Sequence, residues 1–326
     1  MKRALVTGVC GQDGSYLTEF LLNKGYRVFG LTHRMIEAET FAMHHHIHLL
    51  NGDMRDELSL RTAITKSWPD EIYNLAGQVF VPVSWEAPAE TFDINTCGLA
   101  RILKIVKEVK PDTKVYQASS SEMFGNYDGC CSEETAMWPT SPYGISKLAS
   151  HKLCERYRER DVFVVSGILF NHESPRRGHE MVTRKISAQV AAWANGDDSR
   201  LGLGNLNARR DWGYAKEYVE AMWLMLQQDQ PDDYVVGTGV SHSVAEFLMA
   251  AGEVVGLERA FVLDHLEIDN RMTRTQEIYN LRADNSKTKR VLHWEPKVDF
   301  DALVKLMVHS EMTTLTLNGR RAMVAR

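Results

Sequence analysis

Tyr143 and Lys147 stand four residues apart in the run Tyr-Gly-Ile-Ser-Lys, a spacing that puts both side chains on one face of a helix. A phenol titrates near pKa ~10, too high for a base at neutral pH. A fixed ammonium, joined by a cationic nicotinamide, favours the phenolate and would lower that value by roughly one to three pH units. Such a base takes the proton of a sugar hydroxyl while hydride leaves the same carbon. Ser120, Ser121 and Glu122 lie just upstream. Tyr-x-x-x-Lys also recurs on exposed helices without function, so its meaning depends on what positions it.

The chain begins with such positioning elements. Ala4-Leu-Val-Thr7 is a short β-rich run, followed at once by glycines 8, 11 and 14 and by a helical pattern over Ser15–Lys24 that stops at Gly25. A strand, a glycine turn and a helix predict a dinucleotide pyrophosphate site, with Gly8, Gly11, Gln12, Asp13 and Gly14 at the turn. The next strand, Tyr26–Leu31, ends in Thr32-His33-Arg34. Arginine there favours the 2′-phosphate of NADP, whereas an acid would favour the ribose of NAD. The competing reading has Arg34 in solvent and Glu37 or Glu39 on the ribose.

A third strand at Ile47–Leu50 leads to Asp53 and Met54, expected near the adenine, and a fourth at Glu71–Leu75 leads to Ala76-Gly77-Gln78. Leu75, Ala76 and Gln78 are expected beside the cofactor. The strand Lys114–Ser119 delivers Ser120 to Glu122 at its carboxyl end, where open α/β sheets place ligands. The alternation predicts an α/β, Rossmann-type doubly wound parallel sheet with a smaller α/β substrate domain. We expect residues 1–167 to form the NADP-binding domain and 168–326 mainly the nucleotide-sugar domain, with about 210–240 returning to the first.

Beyond the strand Val162–Phe170, three basic pairs follow within forty residues: Arg176-Arg177, Arg184-Lys185 and Arg209-Arg210. In a chain of net charge −5 they suggest a diphosphate ligand. That charge gives no reason to expect nucleic acid, and no apolar run is long enough to span a membrane. The amino-terminal run lacks the apolar stretch of a signal peptide, and five cysteines without metal-type spacing point to a cytoplasmic protein. The His44-His45-His46-x-His48 cluster reads as a surface loop leading into a strand, not a metal site. The tail Thr313–Arg326 is weakly patterned and expected to fray.

Longer motifs then narrow the reading. Ala4-Leu-Val-Thr-Gly-x-x-Gly-Gln-Asp-Gly, Asn171-His-Glu-Ser-Pro-Arg-Arg-Gly178, Val182-Thr-Arg-Lys-Ile186 and Arg210-Asp-Trp-Gly213 resemble the GDP-mannose 4,6-dehydratase family of extended short-chain dehydrogenases/reductases over nearly the whole chain. The resemblance implies an NADP enzyme acting on a GDP-sugar, a homodimer or homotetramer. It implies that Tyr143 and Lys147 oxidise C4, and that Glu122, with Ser120 where the family has threonine, removes the C5 proton and helps expel the C6 hydroxyl. It places His172 and Arg177 at the cofactor and Ser121, Asn171, Lys185, Arg210, Arg274 and Glu277 at the nucleotide sugar. A GDP-heptose dehydratase, a 4-dehydrogenase and a non-catalytic nucleotide-sugar binder stay open beside it. The short stretch after Leu31 and Arg274-Thr-Gln-Glu277 depart from the family pattern.

Overall fold

The structure is a computed structural model that describes residues 1–269, 271 and 276–324. Arg274, expected at the sugar, lies outside them, as does the side chain of Glu37. The first half alternates strand and helix: β1 (Arg3–Thr7), α1 (Gln12–Asn23), β2 (Arg27–Thr32), α2 (Met35–His45), β3 (His48–Asn51), α3 (Glu57–Ser67) and β4 (Glu71–Asn74). Two short helices, α4 (Val81–Glu86) and α5 (Pro88–Phe92), run through a π-turn at Asp93–Cys97 into α6 (Gly98–Val109). Then come β5 (Lys114–Ser120), α7 (Pro142–Arg158) and β6 (Val164–Leu169).

Local chemistry sets several of these boundaries. Asp56 caps α3 by accepting from the N–H groups of Leu58 and Ser59, and Ser141 caps α7 through Gly144 with Pro142 in the first turn. The histidine cluster is a correction to the loop expected there. Met35–His45 is helical, with Ala38 and Ala42 buried on one face, and His46 ends it in a left-handed conformation. The tail differs as well, being helical to Val324. The anchored face of that helix, with Leu303, Val304, Met307 and Val308 fully buried or nearly so, carries the regular backbone onward.

The second half supplies β7 (His172–Glu173), α8 (Val182–Ala194), β8 (Leu201–Leu203), β9 (Arg209–Arg210) and β10 (Gly213–Tyr214). After α9 (Ala215–Leu226) and β11 (Asp233–Val236) come β12 (His242–Ser243), α10 (Val244–Val254), α11 (Arg259–Asp264), β13 (Leu266–Ile268), β14 (Asn280–Leu281), α12 (Ser286–Leu292) and α13 (Phe300–Val324). Among the described residues, seven strands form one parallel sheet in the order β11-β6-β5-β4-β1-β2-β3. β11 joins its edge from the second half, pairing with β6 from Asp233 opposite Ser166 to Val236 opposite Leu169.

Apolar layers cover both faces of the sheet. Tyr73, Tyr116 and Val165 pack under α1 and α9, while Ile72, Val115 and Val164 pack under α3, α6 and α7. A separate core of Ile186, Val190, Phe247, Leu248, Leu303 and Val304 joins α8, α10 and α13. The carboxyl ends of the strands open toward that second layer, and the site lies between them.

Candidate active site

The glycine turn is close-packed in a way that only glycine permits. Gly8 has φ +65°, and a Cβ on Gly14 would come within 2.3 Å of the Gly8 carbonyl oxygen and 2.8 Å of Val9 Cα. The turn therefore sits directly on the first turn of α1, whose N-cap is Gly11 with no side chain to satisfy the helix N–H groups. A cradle of bare backbone at a helix N-terminus fits a dinucleotide pyrophosphate.

The rest of that end is built from strand termini. Thr7 Oγ accepts from the N–H groups of Leu75 and Ala76 at 3.0 and 2.9 Å, holding the segment after β4 against β1. Asn95, in the π-turn, accepts from Gln78 N at 2.9 Å and donates to Gln78 O and Ser146 Oγ, both at 3.0 Å. Its carbonyl accepts from Ser150 Oγ at 3.0 Å, so one residue ties Gln78 to α7. Sequence reasoning missed Asn95, and nothing in its neighbours Asp93, Ile94 and Thr96 would have flagged it.

Asp13 and His172 form a buried pair that bridges the glycine turn and the segment after β6. His172 Nδ1 lies 2.7 Å from the Phe170 carbonyl, so that nitrogen donates, and Nε2 faces Asp13 Oδ2 at 2.9 Å. Burial alone would push the Asp13 carboxyl up, but the His172 imidazolium outweighs it and holds Asp13 below its ordinary value. Burial works against charging His172 too, and Asp13 reverses this to keep it raised. Gln12 reinforces the bridge by donating to His172 O at 3.0 Å and accepting from Ser174 Oγ at 2.8 Å.

A cavity of about 590 Å³ opens at this bridge, and Ser120, Ser121, Glu122, Tyr143 and Lys147 line it together. Asp13, Leu75, Asn171, His172, Arg177, Lys185, Arg210 and Glu277 line it as well. Lys147 Nζ donates to the Ala118 carbonyl at 2.9 Å and lies 5.8 Å from the centre of the Tyr143 ring. Burial lowers the Lys147 ammonium to about 8. Around Tyr143 the protein's own groups act in the opposite direction to the ammonium and the nicotinamide. Burial pushes its phenol up to about 12, against a hydrogen bond with Ser120 that lowers it, and the Glu122 charge adds to the rise.

The basic pairs divide. Arg177, Lys185 and Arg210 line the cavity. Arg176 instead lies 3.9 Å over the Tyr16 ring and pairs with Glu19, Arg184 pairs with Glu311, and Arg209 pairs with Glu246. Arg210 is buried, donating to the carbonyls of Ile278 and Arg209 at 2.7 and 2.8 Å and lying 3.5 Å from Glu277. Lys185 Nζ donates to Gly202 O at 2.7 Å.

Other residues expected at the cofactor lie outside this cavity lining. Met54 is buried in the sheet core, where its methyl packs on Gly98, so its side chain serves packing. Asp53 is held by Arg55 through both carboxylate oxygens, at 3.0 and 2.7 Å, which keeps it near pKa 2. Arg34 is exposed at the start of α2, its N–H bonded to Thr32 Oγ at 3.0 Å, and Glu39 is exposed on the same helix. Phe80 lines the cavity without having been singled out from sequence, and Trp212 of the Arg210–Gly213 motif lines it too.

Comparison with known proteins agrees with this geometry. The family described as GDP-mannose 4,6 dehydratase matches residues 5–307. GDP-mannose 4,6 dehydratase 1 of Arabidopsis thaliana is 49% identical over 327 residues, covering 95% of this chain and 90% of the plant protein. A UDP-glucose 4-epimerase of Thermus thermophilus, solved with NAD, has a TM-score of 0.83 at 25% identity, over 95% of this chain and 98% of its own. RMD from Pseudomonas aeruginosa, complexed with NADPH, has a TM-score of 0.81 at 22% identity, over 96% of this chain and 100% of its own, a likeness of fold. The shared architecture is that of nicotinamide-dinucleotide enzymes.

Proposed function

Since the chain belongs to the GDP-mannose 4,6-dehydratase family, we propose that it converts GDP-mannose to GDP-4-keto-6-deoxymannose with NADP. The observation that carries this reading is the gathering of Tyr143, Lys147, Ser120 and Glu122 in one cavity that Asp13 of the first turn of α1 and the cationic side chains of Arg177, Lys185 and Arg210 also line. We assign residues 1–167, with the 210–240 segment, to the cofactor and the remainder mainly to the nucleotide sugar. The glycine turn, Leu75, His172 and Arg177 would hold the dinucleotide, and Arg34 the 2′-phosphate.

When bound, the oxidised nicotinamide supplies a positive charge and a reversible acceptor for the hydride of C4, which is returned at C6. Tyr143 accepts the O4 proton, assisted by the Ser120 hydrogen bond and by the Lys147 ammonium. The new 4-ketone acidifies the C5 hydrogen, which Glu122 removes as a proton. That proton leaves with the C6 hydroxyl as water, and the proton taken from O4 balances the one finally placed on C5. Lys185 and Arg210 neutralise the diphosphate of the nucleotide sugar.

Mass spectrometry and absorbance test the reading together. Turnover of GDP-mannose should lose one water without net growth of reduced cofactor. Stoichiometric accumulation of NADPH would instead indicate a plain 4-dehydrogenase.

A further inference from the structure

The row that carries the acid–base pair does not end at Lys147. Continuing along α7 in steps of four gives Tyr143, Lys147, His151 and Glu155, one line of side chains along the helix. His151 is 3% exposed and plays no part in the mechanism above. Its Nδ1 lies 2.8 Å from Ser166 Oγ on β6, and Ser166 Oγ lies 2.7 Å from Ser119 Oγ on β5. Ser166 is fully buried and Ser119 nearly so.

The other ring nitrogen fixes the direction of this chain. Nε2 faces Glu155 Oε1 at 3.6 Å and Asp233 Oδ2 at 3.7 Å, so it carries the hydrogen. Nδ1 then accepts from the Ser166 hydroxyl, which in turn accepts from Ser119. The charged groups around the imidazole are Glu155 and Lys152 on its own helix, Asp233 on β11 and Arg158 bound to Asp233. Burial, the largest influence, holds His151 below its ordinary value and therefore neutral. The two cations already engage the two carboxylates, which argues against a metal at this cluster.

Ser119 is where the chain meets the chemistry. The peptide on its amino side presents the Ala118 carbonyl that receives Lys147, and the next residue is Ser120, which hydrogen-bonds Tyr143. We propose that His151, acting through Ser166 and Ser119, is a positioning residue that fixes the end of β5 against α7 and so sets Lys147 relative to Tyr143. A loosened Ala118 carbonyl would support the ammonium less. Lys147 serves as the ammonium, a form lost as pH rises through its pKa, so loosening should bring the alkaline fall of activity to lower pH. Lys147 is faced by Tyr143 on α7 and by Asp13 on α1, with Glu122 and Arg177 acting on Tyr143; none of these is altered in the variants of His151 and Ser166.

The experiment compares Ser166→Ala, His151→Asn and His151→Gln in the NADP-loaded enzyme, each at a temperature where it is folded. Asparagine keeps a polar atom near the Nδ1 position and glutamine one near Nε2. The proposal rests on the reading of Tyr143 and Lys147 as the acid–base pair, so Tyr143→Phe is assayed alongside. Ser166→Ala and His151→Gln should lose roughly tenfold in kcat, with KM for GDP-mannose unchanged and the alkaline limb lowered by about half a pH unit. His151→Asn should recover most of both. If Ser166→Ala and His151→Gln keep kcat and the pH limb and lose only thermal stability, the chain is a structural tie and the proposal is overturned. Equal loss in the asparagine and glutamine variants would also overturn it. Full activity of Tyr143→Phe would remove the acid–base reading itself, whatever the other variants do.

Discussion

The two ends of the cavity are built by different means. At the cofactor end the contacts come from backbone: the cradle of Gly8, Gly11 and Gly14, the bare first turn of α1, and strand ends held by Thr7 and Asn95. At the other end they come from long charged side chains delivered by β9, α8 and the segment near Glu277: Arg210 and Lys185 donate to the carbonyls of Ile278 and Gly202, and Glu277 pairs with Arg210. A backbone site tolerates no added Cβ where the packing is tight, whereas a side-chain site is sensitive to charge and to the partners that fix it.

The largest effects should come where the two ends meet. Tyr143→Phe removes the O4 base, so neither hydride transfer nor exchange at C5 should proceed at a useful rate. Glu122→Gln keeps the shape but accepts no proton. In a single turnover in D₂O it should accumulate ketosugar and reduced cofactor with little deuterium at C5. Overall dehydration should fall about 10²–10⁴-fold in either variant. Undiminished turnover by Glu122→Gln would remove it as the eliminating carboxylate.

Within the side-chain end, neighbours should behave unequally. Arg210→Ala removes a buried guanidinium and leaves Glu277 and the Ile278 carbonyl without it, so KM for GDP-mannose should rise about 10–100-fold, as expected for charged hydrogen bonds. Arg209→Ala removes a half-exposed partner of Glu246 and should move KM less than about twofold. Equal effects from the pair would end the distinction between lining and bracing arginines.

The backbone end should be mildest toward side-chain loss. Arg34→Ala should narrow the preference for NADP(H) over NAD(H) by about tenfold, the worth of one exposed charged contact, leaving pyrophosphate binding to the glycine turn. Titrations of both cofactors against both proteins check this. Equal affinities in the unaltered protein would assign the 2′-phosphate elsewhere or nowhere.

The same contrast explains what was legible in the sequence. Glycines at fixed spacing between a strand and a helix announce a backbone site, and Val115 or Ile72 in an apolar run announces a buried strand. The sheet and the cradle could therefore be read directly. The side-chain end became legible only through family resemblance, because Arg210 depends on Ile278 and Glu277, nearly seventy residues away. Local pattern also leaves out what burial adds. Met54 follows a strand end yet turns into the core, and the phenol of Tyr143 rises because its surroundings are dry. The α2 helix was hidden by its histidines, although Ala38 and Ala42 bury one face of it.

The π-turn at Asp93–Cys97 has a consequence for how this part of the chain can vary. Such a turn holds one residue more than the regular helix around it. Deleting Ile94 or Thr96 would let α5 and α6 fuse into an uninterrupted helix and swing one flank by about 100° relative to the other. Asn95 would then face away from Gln78 and Ser146, although every amino acid in those contacts had been kept. Relatives of this protein should therefore accept changes of residue type along the stretch far more readily than a change in its length.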